Sequence, residues 1–202
     1  VSVYHIDWSN ITNRIQLAAC GFAYTDNTAS ANIDGFEISA SFAPNENWLF
    51  TFALGYADAS FAETAFAVDG IEGLLPLVSE GDKLTAPPLT INLTAQYNFQ
   101  GPGDIDYFIR VDYDHRQSAD DIAAQNPANG SFDPGFTPNP NTNFVNLRFG
   151  ADITEGFNLS AFVLNLTDEA PVLNLLTQPG GTLGRANTVR PRTFGLQGVY
   201  RF

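Results

Sequence analysis

Two histidines, one cysteine and a set of interleaved arginines, carboxylates and amides are the residues of this 202-residue chain whose types suit chemistry. His5 and His115 are expected on different strands, near opposite rims of the sheet, and neither has a partner spaced to make a metal pair. No Gly-x-Ser-x-Gly nucleophile elbow occurs. Asp112, Asp114, His115 and Arg116 form a local charged cluster, which a solvated strand end explains without catalysis. Cys20, flanked by Ala18, Ala19 and Gly21, has no internal disulfide partner and no metal-binding or catalytic company. These patterns predict neither an enzyme nor a metal or cofactor protein. Binding is the chemistry that fits the rest. Arg110, Asp112, Asn146 and Arg148, with Arg190 and Arg192 further on, alternate with other residues as strand positions do. Such a wall either holds a small polar ligand or neutralises itself, Arg110 and Arg148 pairing with Asp106, Asp112 and Asp152.

Composition narrows the setting. A formal net charge of −13 and a pI near 4.2 argue against nucleic acid as a partner. No apolar run approaches the ~18 residues of a membrane helix. Val1 opens in mid-pattern without a leader, as expected of a mature product or a fragment. Phe is abundant at 17, Lys occurs once, and helix-period segments are scarce beside alternating ones. The class is all-β.

The strands that would position the binding residues follow in order. Residues 1–10 place Tyr4, Ile6 and Trp8 on one face and Val3, His5, Asp7 and Ser9 on the other, continuing into a hairpin with its tip near 20–26. Alternation recurs at 35–42, 48–56, 89–99, 105–113, 144–153, 157–166 and 190–202. Short turns at 44–47, 100–103 and 154–156 alternate with long connections at 63–85, 117–142 and 167–188, none of which has a period. About eight antiparallel strands with short turns at one rim and long loops at the other describe a transmembrane β-barrel segment, with short periplasmic turns and long extracellular loops. A strand of about 11 residues at ~3.3 Å each, tilted by ~40°, covers about 28 Å, near the apolar height of such barrels. Trp48, Tyr56, Tyr97, Phe99, Tyr107, Tyr113, Tyr200 and Phe202 sit near strand ends with aliphatic residues between them, the pattern of two aromatic girdles against outer-membrane lipid. The opposite face would line an aqueous lumen. The rival fold, a soluble β-sandwich, would have short loops at both ends.

The last strand, with Phe194, Leu196, Tyr200 and a terminal Phe202 on one face, resembles the C-terminal assembly signal of bacterial outer-membrane barrels, which implies recognition by the barrel-assembly machinery. More of the chain resembles one family. Gly35-Phe-Glu-Ile-Ser-Ala-Ser-Phe-Ala-Pro44, Trp48-Leu-Phe-Thr-Phe-Ala-Leu-Gly-Tyr-Ala-Asp58, Ala86-Pro-Pro-Leu-Thr-Ile-Asn-Leu93, Phe157-Asn-Leu-Ser-Ala-Phe-Val-Leu-Asn-Leu-Thr-Asp168 and Pro191-Arg-Thr-Phe-Gly-Leu-Gln-Gly-Val-Tyr-Arg-Phe202 look, in that order, like the end of a TonB-dependent receptor. The resemblance implies a 22-stranded barrel closed by an N-terminal plug. It also implies uptake of a scarce nutrient such as a siderophore, cofactor or saccharide, energised by the TonB complex acting through the plug. Residues 1–202 would then be the C-terminal part of the barrel, with plug and earlier strands lying outside this chain. The alternative is a self-contained eight-stranded outer-membrane barrel with a structural or adhesive role.

Overall fold

The computed structural model describes residues 1–16, 23–66, 73–132, 136, 138–177 and 184–202. Eight strands form one antiparallel sheet: β1 (Ser2–Gln16), β2 (Ala23–Phe42), β3 (Trp48–Phe61), β4 (Leu89–Gln100), β5 (Asp106–Arg116), β6 (Thr142–Thr154), β7 (Phe157–Leu164) and, after a separate hairpin of β8 (Asn174–Thr177) and β9 (Gly184–Asn187), β10 (Thr193–Tyr200). Chain order is sheet order, β1-β2-β3-β4-β5-β6-β7-β10. No helix among the described residues is long and apolar enough to cross a membrane.

Register turns the period of each strand into two unlike faces. One transverse row runs Phe42, Phe50, Ala95, Val111, Leu147, Val163, Phe194, residue opposite residue across seven strands. On the other face the corresponding row is Gln96, Arg110, Arg148, Phe162, Gly195. Toward the short-turn rim the apolar face carries a chain of touching rings, Phe50, Trp48, Tyr97, Phe99, Tyr107 and Phe149, with centroids 4.7 to 5.8 Å apart. Phe36 and Tyr56, 5.5 Å apart, mark its other margin. The short turns are built locally. The Asn45 Oδ1 accepts the backbone N–H groups of Asn47 and Trp48 at 3.0 and 3.1 Å, and Gly156 takes φ +92° between β6 and β7.

Several expectations need correction. β2 begins at Ala23, not near residue 35, because β1 and β2 keep pairing from Trp8↔Ala31 out to Gln16↔Ala23, whereas β3 stops at Phe61 opposite Ala31. The hairpin tip and Cys20 fall outside the described residues. Tyr4, Ile6 and Trp8 do share one face, as their alternation predicts, and it is the polar one, since Val3 and His5 oppose Phe36 and Asp34 of the apolar-face set. His5 and His115 do not sit near opposite rims: β1 starts partway up the sheet, opposite Glu37, so both lie toward the long-loop side. Pairing of the last strand ends at Tyr200, after which the Arg201 N–H donates to Gly156 O at 2.8 Å.

The long connections are also more ordered than their composition suggests. Ile11, Ala29, Ala31, Ala65 and Val78 form a buried cluster against which Phe61, Leu77, Leu84 and Ala123 pack. Thus the outer part of the β1–β2 hairpin, the 62–88 connection and a 3-10 turn at Ala123–Gln125 in the 117–141 connection make one packed unit at the long-loop end of the sheet. Among the described residues β1 pairs within the sheet with β2 alone and β10 with β7 alone, so the eight strands form an open wall and do not close into a barrel of their own.

Candidate functional site: the polar wall and its margins

β5 and β6 carry four of the six predicted binding residues, and their register brings those four together. Asp112 stands between Thr94 and Asn146, and Arg110 between Gln96 and Arg148, on the polar face. The Arg110 guanidinium grips Asp112 through Nε, at 2.9 and 3.1 Å from the two carboxylate oxygens, and through Nη2 at 2.8 Å. The Thr94 hydroxyl donates to the same carboxylate at 2.7 Å. The expected Arg110–Asp112 pair is therefore formed.

Arg148 departs from expectation. Directly opposite Arg110, it turns away from that like charge and donates to Gln197 Oε1 at 2.6 Å and Ser160 Oγ at 3.1 Å, with its guanidinium 5.1 Å from the centre of the Phe162 ring. Phe162 lies over Gly195, where an added Cβ would meet the ring at 2.2 Å. Among the described residues neither Asp106 nor Asp152 has an arginine partner within 4 Å; the two carboxylates oppose each other, and Asn158 donates to Asp152 at 3.0 Å.

Asn146 does structural work. Its side-chain oxygen accepts the Asn165 N–H at 2.9 Å, and the buried Asn165 amide donates to the carbonyls of Glu169 and Arg190 at 2.8 and 3.2 Å. Arg190 thus contributes its backbone here. Arg192 is held at the long-loop rim by Asp168, through its N–H at 2.9 Å and its guanidinium at 4.0 Å. These two arginines do not join the Arg110–Arg148 group.

Sequence reasoning missed Asp82 and Asn129. Both are buried, and they fasten the 62–88 connection to the 117–141 connection. Asp82 accepts from Asn129 Nδ2 at 2.6 Å, Asn126 Nδ2 at 2.8 Å and the Ser79 N–H at 2.7 Å, while the Ser79 hydroxyl donates to Asn129 Oδ1 at 2.6 Å. Main-chain bonds from Lys83 N–H to Asp121 O and from Gly130 N–H to Pro76 O reinforce the join. Three Asx-type residues in loops without period carry no signal of a shared buried site.

On the opposite face, Phe194, Leu196 and Tyr200 are 72, 79 and 66% exposed, a greasy stripe that water alone does not favour.

The sequence matches the family model for the β-barrel of TonB-dependent receptor-like proteins over residues 1–166. The chain belongs to the TonB-dependent receptor β-barrel family. Solved structures agree on the fold. The chain aligns over 99% of its length with the ferric yersiniabactin uptake receptor FyuA from Yersinia pestis (TM-score 0.70, 14% identity) and with the copper transporter OprC (TM-score 0.70, 19% identity). It aligns equally fully with the ferric-catecholate import receptor Fiu from E. coli K12 (TM-score 0.57, 20% identity). It spans 27, 28 and 24% of those chains. No curated protein matches it by sequence. TonB-dependent receptor barrels are outer-membrane transporters rather than enzymes, and membership makes the outer membrane the setting of this sheet.

Proposed function

We propose that the chain is part of the wall of a plugged outer-membrane receptor that imports a scarce nutrient with energy from the TonB complex, residues 1–202 supplying the C-terminal strands. The observation that carries this reading is the sheet: one face greasy and ring-bordered, the other polar, and both edges open. In hydrocarbon an unpaired strand edge strands its N–H and C=O groups without water, so β1 and β10 need neighbours from the rest of a barrel. Arg110, Asp112, Asn146, Arg148, Arg190 and Arg192 then face the plug and the ligand path, and Phe194, Leu196, Tyr200 and Phe202 present the assembly machinery with its C-terminal signal. The long loops face outward and the short turns the periplasm. A plugged, energised path suits a nutrient too scarce or too large for passive diffusion.

The test is growth of a receptor-deletion strain under separate limitation for chelated iron, copper, a corrinoid or oligosaccharides, beside a TonB-deletion strain. Loss of growth on one of these in both strains is expected. Growth defects of the receptor deletion that TonB-deficient cells do not share would overturn the import reading.

A further inference from the structure

On the polar face, where the outer ends of β1 and β3 meet the fastened connections, lies a cavity of about 590 Å³, a volume suited to a small molecule. Trp8, Phe61, Leu77, Leu84, Ile122 and Phe136 give it its character. Trp8 and Phe136 remain 46 and 38% exposed there, so aromatic surface is left open to the vestibule. Among the lining residues, Lys83 is the one that carries a charge, and its ammonium is already paired with Asp58. The Ser131 hydroxyl is likewise committed, donating to Leu77 O at 2.5 Å. The remaining polar side-chain groups of the lining are the Thr85 hydroxyl and the Trp8 indole N–H, both neutral, so a multiply charged ligand would give up water without a countercharge and a hydroxyl-rich one would leave most of its hydroxyls unpaired. The chain's net charge of −13 adds a field that repels polyanions. An uncharged aromatic or aliphatic body meets neither obstacle and covers the exposed rings.

We propose that this cavity seats the uncharged aromatic or aliphatic part of the imported ligand. This rests on the import reading and narrows its substrate class away from plain saccharides and small polyanions. The probe is 2-naphthol, titrated calorimetrically into the full receptor in lipid nanodiscs with empty discs subtracted, beside maltotriose. Ala124→Trp and Thr85→Trp, both at the cavity wall, fill the space from the loop side. Saturable naphthol binding is expected, weakened at least tenfold in both variants while the barrel keeps its heat-modifiable mobility, and maltotriose should give no signal that the variants change. Naphthol binding no greater than to empty discs, binding unaltered by both substitutions, or maltotriose binding abolished by both would overturn the assignment. If TonB-dependent uptake persists alongside such a result, the cavity proposal alone falls; if uptake proves independent of TonB while naphthol binds as expected, the import reading falls and the site stands.

Discussion

At the scale of single residues, adjacent positions of β10 have opposite roles. Leu196 belongs to the apolar face, so Leu196→Arg puts a charge against hydrocarbon, costing about 2–4 kcal/mol near the midplane. Its neighbour Gln197 looks tolerant by alternation, yet it is the acceptor that holds Arg148, and Gln197→Arg would set two cations together. Val199 is the better control. It lines a recess on the polar face with Asp106 and Asp152, where an arginine gains carboxylate partners. Leu196→Arg should therefore impair assembly and Val199→Arg should not, as read by heat-modifiable mobility on a gel; equal behaviour of the two would remove the lipid face from this strand. Gly195 supplies a second case. Because the Phe162 ring covers it and Arg148 rests on that ring, Gly195→Ala should cost about 1–3 kcal/mol through overpacking. In a Phe162→Ala background the same change should cost much less, a coupling visible in a double-mutant cycle of denaturant midpoints. Alternation made the face of each residue legible. The choice of Gln197 over a carboxylate for Arg148 was not, because it depends on which residues the register sets beside it.

At the scale of elements, strands inside the membrane were easier to read than those outside it. β4 separates lipid-facing from lumen-facing residues at every step, since hydrocarbon and water impose a strict period of two. At the long-loop end of the sheet no such pair of solvents exists. The packed unit there draws Ile11, Ala29, Ala31, Ala65 and Val78 from separate segments, several of them small, and no window of sequence contains its pattern. The order of the long connections was hidden for the same reason, although their positions were plain from their Pro, Asn, Asp and Gly content. Asp82 is the point on which this unit can be tested. Asp82→Ala removes the acceptor of the half-buried Asn126 amide and one of the two acceptors of the buried Asn129 amide, a loss of about 1–3 kcal/mol for such a group. Amide exchange should then speed up together in 73–86 and 121–132 while β4 and β5 keep their protection. Faster exchange confined to 73–86 would show that the two connections are not joined through this carboxylate.

For the whole molecule, the sheet's two sides and two rims fix how it sits in a membrane once one rim is assigned. The alternation of short turns and long connections was legible from sequence and holds in the structure, whereas strand count did not by itself decide for the open wall that the family resemblance implied, because eight tilted strands are enough to close a small barrel. A labelling site for orientation has to respect the packing found beyond the sheet: Asn129 is a poor choice, being 2% exposed and bonded to Asp82 and Ser79. Asn139, exposed in the same connection, leaves that network intact, and Glu46 offers an exposed position in the first short turn without removing the Asn45 cap. In a Cys20→Ser background, a membrane-impermeant maleimide should label Asn139→Cys on intact cells and reach Glu46→Cys after the outer membrane is permeabilised. Labelling of Glu46→Cys on intact cells, with Asn139→Cys protected until permeabilisation, would invert the wall, place the aromatic-lined cavity on the periplasmic side and separate it from any ligand arriving from outside.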